Sequence, residues 1–210
     1  MRIVGGQFRS RALSTPKGRS TRPMTDRVRE NLFNLLGPDA CTRAVVLDLF
    51  CGSGALGLEA LSRRADACTF VDVGQAAVAA VARNCDRLGL TDRVRIERRD
   101  ALRPGAWLVP PDGRGYTLIF VDPPYKIPAE EEGRRRLARM ARRLLDLGCV
   151  APGAVAMLRA EAGVDPGGPW EGFDLLDTRT YGTTTLHLMV KHAPGKFTRR
   201  SPTGEGGPGG

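Results

Sequence analysis

One feature constrains this chain more than any other: an apolar run that ends in a glycine turn. Residues 44–50 read Ala-Val-Val-Leu-Asp-Leu-Phe, and Cys51-Gly52-Ser53-Gly54-Ala55-Leu56-Gly57 follows, leading into a helical pattern through Leu61. A short apolar strand, a glycine turn and a helix in that order open a βαβ unit, whose parallel strands are buried on both faces. The alternation then repeats. Residues 67–71 read as a second strand closed by Asp72, residues 75–88 as an alanine-rich helix stopped near Gly89, and residues 94–97 as a third strand with Asp100 just beyond it. Residues 104–115 carry Pro and Gly punctuation and read as a loop. A fourth strand, 116–121, runs directly into Asp122-Pro123-Pro124-Tyr125, and a charged helix over 129–147 leads to a fifth strand over 155–159. Residues 163–172 read as a loop, and residues 175–181 and 184–190 as a closing hairpin turned at Gly182. The expected fold is α/β, a doubly wound, seven-stranded, mostly parallel sheet with an antiparallel C-terminal hairpin. Ligands of such sheets bind outside the carboxyl ends of the strands. Asp48, Asp72, Asp100 and Asp122 all fall at such ends.

Residues 1–23 are short, basic and rich in Gly, Ser and Thr, with Pro16 and Pro23, and read as a small hairpin or arm. Thr25 or Asp26 is placed to cap a helix running to Leu36, with Val28, Leu32, Leu35 and Leu36 on its apolar stripe and Gly37-Pro38 at its end. From Pro194 the chain is Gly, Pro, Ser, Thr and Arg, a composition that cannot bury a core. The division is therefore a basic N-terminal appendage over 1–23, a main domain over 24–193 and a disordered tail over 194–210. Net charge is +9, and residues 1–36 hold eight basic side chains against two acids, 8 − 2 = +6. A basic arm suits a polyanion. Arg9, Arg11, Lys17, Arg19, Arg22 and Arg27 are the candidate phosphate contacts. The arginines at 134, 135, 136, 139, 142 and 143 are read instead as a solvated helix face balanced by Glu130, Glu131 and Glu132. No apolar run approaches the roughly 20 residues of a membrane helix, and the first residues carry no secretory apolar core, so a cytoplasmic protein is expected. Five cysteines without a CxxC pair and two histidines indicate neither a disulfide framework nor a metal site.

The glycine turn fits G-x-G-x-x-G, and Asp72 lies 20 positions after Gly52, so a nicotinamide-dependent oxidoreductase is a competing reading. The acids favour another ligand. A pyrophosphate seeks backbone N–H groups and positive potential, whereas a carboxylate at Asp48 suits a cationic amino group. Asp72 suits ribose hydroxyls and Asp100 an adenine amino group. With Phe50, Gly52, Ser53 and Gly54 on the turn and Ala101 beside Asp100, the set resembles the S-adenosylmethionine pocket of class I methyltransferases.

Asp122-Pro123-Pro124-Tyr125 resembles the (D/N/S)-P-P-(Y/F/W) motif of methyltransferases that act on planar exocyclic amines. An aryl amine is a poor nucleophile because its lone pair is delocalised into the ring. The Asp122 carboxylate and the Pro123 carbonyl are two acceptors able to draw its nitrogen toward sp³ character. Pro123 and Pro124 stiffen their backbone in advance, and Tyr125 offers a stacking face for an extruded base.

Further segments then point to one family. Met1-Arg2-Ile3-Val4-Gly5-Gly6, Arg22-Pro23, Thr25-Asp26-Arg27-Val28-Arg29-Glu30, Leu32-Phe33-Asn34, the stretch from Asp48 to Ala60, the Asp-Pro-Pro-Tyr tetrad and Tyr181-Gly182 together resemble the bacterial 16S ribosomal RNA guanine-N2 methyltransferases of the small-subunit type D (RsmD-like) over about residues 1–190. The resemblance implies a Rossmann-like sheet with an N-terminal appendage, S-adenosylmethionine as cofactor, and methylation at N2 of the guanine usually numbered 966 in 16S ribosomal RNA. It also implies an assembled small-subunit particle as substrate, and a monomeric enzyme. Asp72-Val73-Gly74 departs from the acidic pair usual in the family, keeping the first acid and lacking the second. Other readings are a DNA adenine or cytosine amino-methyltransferase, for which no target-recognition domain is evident, and a non-enzymatic RNA-binding protein.

Overall fold

The computed structural model describes residues 1–16, 24–110 and 113–192. The strands are β1 (Val45–Leu49), β2 (Ala67–Asp72), β3 (Val94–Arg98), β4 (Tyr116–Val121), β5 (Val150–Glu161), β6 (Phe173–Tyr181) and β7 (Thr184–Lys191). They form a seven-stranded sheet of order β3-β2-β1-β4-β5-β7-β6. All pairings from β3 to β5 are parallel, and β7 runs antiparallel to both β5 and β6. This is the expected α/β sheet with its antiparallel closing hairpin. Strand order reverses at β1, flanked by β2 and β4, which makes a switch point at its carboxyl end.

Side-chain alternation along the strands feeds two cores. Val46, Phe70, Leu118 and Phe120 point to one face, under α1 (Asp26–Leu36), α2 (Ala55–Ser62) and α3 (Gln75–Leu88). Val45, Leu47, Leu49, Val71, Ile119 and Val121 point to the other, under α5 (Glu131–Asp146). The side chain of Thr25 accepts from Val28 N and so starts α1, and Gly37, at φ 90°, follows its end. On α5, Leu137, Met140, Ala141 and Leu144 form the buried stripe. The solvent face is laced by Arg135–Glu131, Arg139–Glu132 and Arg142–Asp146 pairs, the arrangement expected for a charged helix surface.

The expected helix over 129–147 is α5, and a further short helix precedes it. A short α4 (Lys126–Ala129) ends where Glu130 turns extended, ψ 141°, and α5 begins after it. Gly133 lets the two pack closely, since a Cβ there would lie 1.9 Å from the Ile127 carbonyl oxygen. The fifth strand also begins earlier than residue 155, because Val150 pairs with Tyr116 ahead of a register shift. Within the expected loop over 104–115 lies a 3-10 turn, Ala106–Leu108, whose Leu108 is buried and whose carbonyl accepts from the Tyr116 hydroxyl at 2.8 Å. The 163–172 loop fills the second core with Trp170, edge-on to Phe173 at 6.1 Å.

Helix α2 is buried on all sides, residues Leu56 to Ser62 alike. Its outer side is covered by the N-terminal residues, whose Ile3 and Leu13 join the first core. An antiparallel bridge between Arg2 and Ala12 closes these residues into a small hairpin. Val4 N donates to Glu59 Oε2 at 2.8 Å and Phe8 N to Ser62 Oγ at 2.9 Å. Asn84 of α3 accepts from Ser14 N at 2.8 Å and donates to the carbonyls of both Ser14 and Ser53. Arg29 of α1 is fully buried. It pairs with Asp26 at 2.9 Å, faces Glu59 at 3.8 Å and donates to the Arg2 carbonyl. Residues 17–23 and the tail from 194 lie outside the described residues.

Candidate functional site

The carboxyl ends of β1, β2 and β4 bring most of the candidate cofactor and catalytic residues together. Leu49 leaves β1 into Phe50, which sits at φ 60°, a conformation costly for a residue with a Cβ. Gly52 at φ 55° and Gly54 at φ 77° continue the turn in the same region. Two glycines behave differently. A Cβ on Gly52 would meet no atom within 4 Å, so that side of the turn is open. A Cβ on Gly57 would lie 2.4 Å from Phe70 Cε1 and 2.6 Å from Cys68 Sγ, so this glycine is demanded by helix-on-strand packing.

Asp48 is buried in β1. Its Oδ2 accepts from Gly57 N at 2.9 Å, while its Oδ1 is buried with no hydrogen-bond partner. Burial pushes its carboxyl up to about 8, opposed by the Gly57 N–H and reinforced by the nearby Asp122 and Asp72 charges. A buried acceptor left unmatched costs of the order of 1–3 kcal/mol and so marks a place for a donor. Asp72 bridges the turn to the exit of β2, taking Gly52 N at 3.0 Å on one oxygen and Gly74 N at 2.8 Å on the other. Its neighbour Val73 is exposed. Ser53 is buried, with its hydroxyl 3.1 Å from Met1 Sδ.

Asp100 stands apart, beyond the end of β3. Its Oδ1 accepts from Leu102 N at 3.0 Å, closing a local turn, and its Oδ2 lies 3.6 Å from Arg103 and 3.7 Å from Arg136. Ala101 beside it is buried in the second core. Of the candidate phosphate contacts, Arg9 and Arg11 are exposed on the N-terminal hairpin and Arg27 on α1. Lys17, Arg19 and Arg22 lie outside the described residues.

Asp122 follows β4, its N–H donating to the Leu49 carbonyl at 3.3 Å, which ties the tetrad to the end of β1. Burial raises the Asp122 carboxyl, and Arg159 opposes that rise. Sequence reasoning treated Arg159 only as the last residue of a strand. Its Nε lies 2.9 Å from Asp122 Oδ1, and its guanidinium carbon sits 4.9 Å from the centroid of the Tyr125 ring. The Tyr125 hydroxyl is hydrogen-bonded to Thr184 Oγ1 at 2.7 Å. A charged residue closing an apolar run was the available signal. Asn84 and Glu59 were likewise missed, each a polar side chain on the buried side of its helix. Among the described residues, no cluster of three or more His, Cys, Asp or Glu could hold a metal ion, and no helix is long and apolar enough to cross a membrane.

A parallel sheet with its switch point at β1, an antiparallel closing hairpin, and a glycine turn backed by acids define a class I methyltransferase fold. The family described as conserved hypothetical protein 95 matches residues 1–190. The chain is 43% identical over 126 residues to the putative rRNA methyltransferase YlbH of Bacillus subtilis, covering 60% of this chain and 67% of that protein. It is 40% identical over 132 residues to ribosomal RNA small subunit methyltransferase D of Escherichia coli strain K12, covering 63% and 64%. The structure described as putative methyltransferase yhhF from Escherichia coli superposes with a TM-score of 0.71 at 34% identity, covering 92% of this chain and 98% of that one.

The chain belongs to the conserved hypothetical protein 95 family and is a methyltransferase of the RsmD type. The resemblance in the turn and the tetrad implies S-adenosylmethionine as the cofactor. The turn fits such a group on its own terms: open space at Gly52, a buried acceptor at Asp48 without a donor, and acids at two neighbouring strand ends.

Proposed function

We propose that this chain methylates the exocyclic N2 amine of a guanine in 16S ribosomal RNA, the guanine usually numbered 966, within an assembled small-subunit particle. The observation that carries this reading is the Asp122-Pro123-Pro124-Tyr125 tetrad at the carboxyl end of β4, bonded to the end of β1 where the glycine turn begins. The names of the Bacillus subtilis and Escherichia coli relatives support ribosomal RNA as the substrate class.

In this reading Asp48, Phe50, Gly52, Ser53, Gly54 and Asp72 hold the cofactor, with Asp48 Oδ1 accepting from the amino group of its methionine part. Asp100 and Ala101 border the adenine end. Bound there, the sulfonium supplies the methyl group and leaves as a neutral thioether. Asp122 and the Pro123 carbonyl accept hydrogen bonds from the amine, keeping its lone pair aimed at the carbon under attack. As the N–C bond forms the nitrogen becomes cationic, and Asp122, directly or through water, takes the proton. Tyr125 stacks on the extruded base. Arg9, Arg11, Lys17, Arg19, Arg22 and Arg27 contact phosphates and set orientation rather than sequence.

The test is transfer of labelled methyl to undermethylated small subunits, naked 16S RNA and DNA, with the labelled nucleoside identified by mass spectrometry. N2-methylguanosine in the subunits, lost in Asp122→Ala with S-adenosylhomocysteine binding retained, is the expected result. Label in DNA, or in another nucleoside, overturns the substrate assignment.

A further inference from the structure

Arg159 sits near the end of β5 with 4% of its surface exposed. A buried guanidinium is expensive unless its charge and its donors are matched. Here its Nε lies 2.9 Å from Asp122 Oδ1, an ion pair whose alignment is not that of a hydrogen bond, and its guanidinium carbon lies over the Tyr125 ring, 4.9 Å from the centroid. The ring is held from its far edge as well, through the hydroxyl bonded to Thr184 at the start of β7. The proline pair fixes the backbone of the tetrad but leaves the Asp122 and Tyr125 side chains free to rotate. Arg159 lies against both.

We propose that Arg159 is a positioning residue for methyl transfer, its guanidinium holding the Asp122 carboxylate and the Tyr125 ring in a single arrangement; the inference rests on the roles assigned above to those two residues. The pair engages Asp122 at Oδ1. A planar guanidinium can donate in its plane and stack through its face at once, which an ammonium cannot.

The charges around Asp122 fix the sign of the effect. Arg159 is the cation facing it from β5, and Asp48 is the acid facing it from β1. Burial raises the Asp122 carboxyl and Arg159 counters that rise. Without the guanidinium the carboxyl protonates at higher pH, so the acid limb of the rate profile moves up.

The experiment measures kcat against pH on undermethylated small ribosomal subunits for the unmodified enzyme, Arg159→Met, Arg159→Lys and Asp122→Asn, with S-adenosylhomocysteine affinity by calorimetry as the check on folding. Arg159→Met is expected to bind S-adenosylhomocysteine within about twofold of the unmodified enzyme while kcat at neutral pH falls about 10- to 100-fold, the scale of a misplaced catalytic group. Its acid limb is displaced upward, and part of its rate returns at high pH. Arg159→Lys restores the position of the limb but not the full kcat. Unmodified kcat in Arg159→Met, or a parallel loss at every pH with the limb in place, overturns the proposal. Should Arg159→Met fail to bind S-adenosylhomocysteine, Arg159→Lys carries the test, and unmodified kcat there overturns it. Asp122→Asn separates the two levels: its inactivity beside an unaffected Arg159→Met removes only the role of Arg159, whereas its full turnover removes the reading of the tetrad itself.

Discussion

Replacing Glu59 by glutamine should cost this protein about 3 kcal/mol, although Glu59 touches no residue of the candidate site. Its side chain is fully buried in α2 and receives the Val4 N–H at 2.8 Å and Arg63 Nε at 2.9 Å. It also faces the fully buried Arg29, at 3.8 Å from Nε, a separation that makes the contact Coulombic rather than a hydrogen bond. Glutamine keeps an acceptor for Val4 but strips the charge. Arg29 then retains only Asp26, which is 40% exposed, and the Arg2 carbonyl. Removing one member of a buried pair costs about 3–5 kcal/mol, because the remaining charge is left uncompensated. The residual partners place the value at the lower end. Set against a typical total of about 5–15 kcal/mol, the loss is large. By contrast, Arg63, a quarter exposed, should cost about 1 kcal/mol or less when changed to glutamine. Urea unfolding gives both numbers, and amide exchange should show residues 3–13 opening first in Glu59→Gln. The double change Glu59→Leu with Arg29→Met should cost much less than the sum of its singles. A Glu59→Gln loss under about 1 kcal/mol, or strict additivity in that cycle, refutes the reasoning.

Three other predictions follow from single contacts. Gly57→Ala should lower stability by about 1–3 kcal/mol through overpacking, because its Cβ would press on Phe70 and Cys68; calorimetric melting at an unchanged Tm contradicts this. Asp48 holds its proton more tightly folded than unfolded, its carboxyl standing at about 8 against the ordinary 3.8, so the ligand-free protein should lose stability as pH rises from about 4 toward 8. Asp48→Asn should flatten that slope in a Tm-against-pH series, and an identical slope in the variant removes the assignment. Arg9→Ala with Arg11→Ala should weaken RNA binding across sequences and reduce the slope of log affinity against log salt by about 0.7–0.9 per lost phosphate contact; an unchanged slope in filter binding takes these two side chains off the RNA.

The sheet was legible because buried parallel strands are written as local apolar runs, and the acids at their ends are sequence neighbours of those runs. The turn and the tetrad were legible for the same reason: each is contiguous, from Asp48 to Gly57 and from Asp122 to Tyr125. What local pattern does not encode is which distant side chain meets which. Arg159 follows five apolar residues, Ala154 to Leu158, and closes on an acid 37 positions earlier. Asn84 sits in an alanine-rich helix and reaches Ser14 and Ser53. Glu59 interrupts an apolar helix, and only the hairpin covering that helix explains it. Each is a polar residue where periodicity asks for an apolar one, so the anomaly was visible while its partner was not. The break at Glu130 is of another kind, set by the close packing of Gly133 on Ile127.

Asp48 and Asp122 stand on adjacent strands, joined by the bond from Asp122 N to the Leu49 carbonyl, and burial raises both carboxyls. Their surroundings then push them apart. Asp122 has a cation against one oxygen, which favours its charged form. Asp48 has one neutral backbone donor and an oxygen with none, which favours its proton while nothing cationic is near. In the proposed reading this difference divides the labour. Asp122, with Arg159 against it, is the carboxyl whose charged form is favoured, as an acceptor for the amine requires. Asp48 becomes ionised when a cationic amino group reaches it, so cofactor binding should release a proton near neutral pH. Calorimetry of S-adenosylhomocysteine binding in buffers of different ionisation enthalpy measures that release. It should approach one proton at pH values a unit or more below about 8, fall away at higher pH, and vanish in Asp48→Asn. Binding with no proton release at neutral pH would show that Asp48 is already charged, and would leave the orphaned oxygen without the role assigned to it.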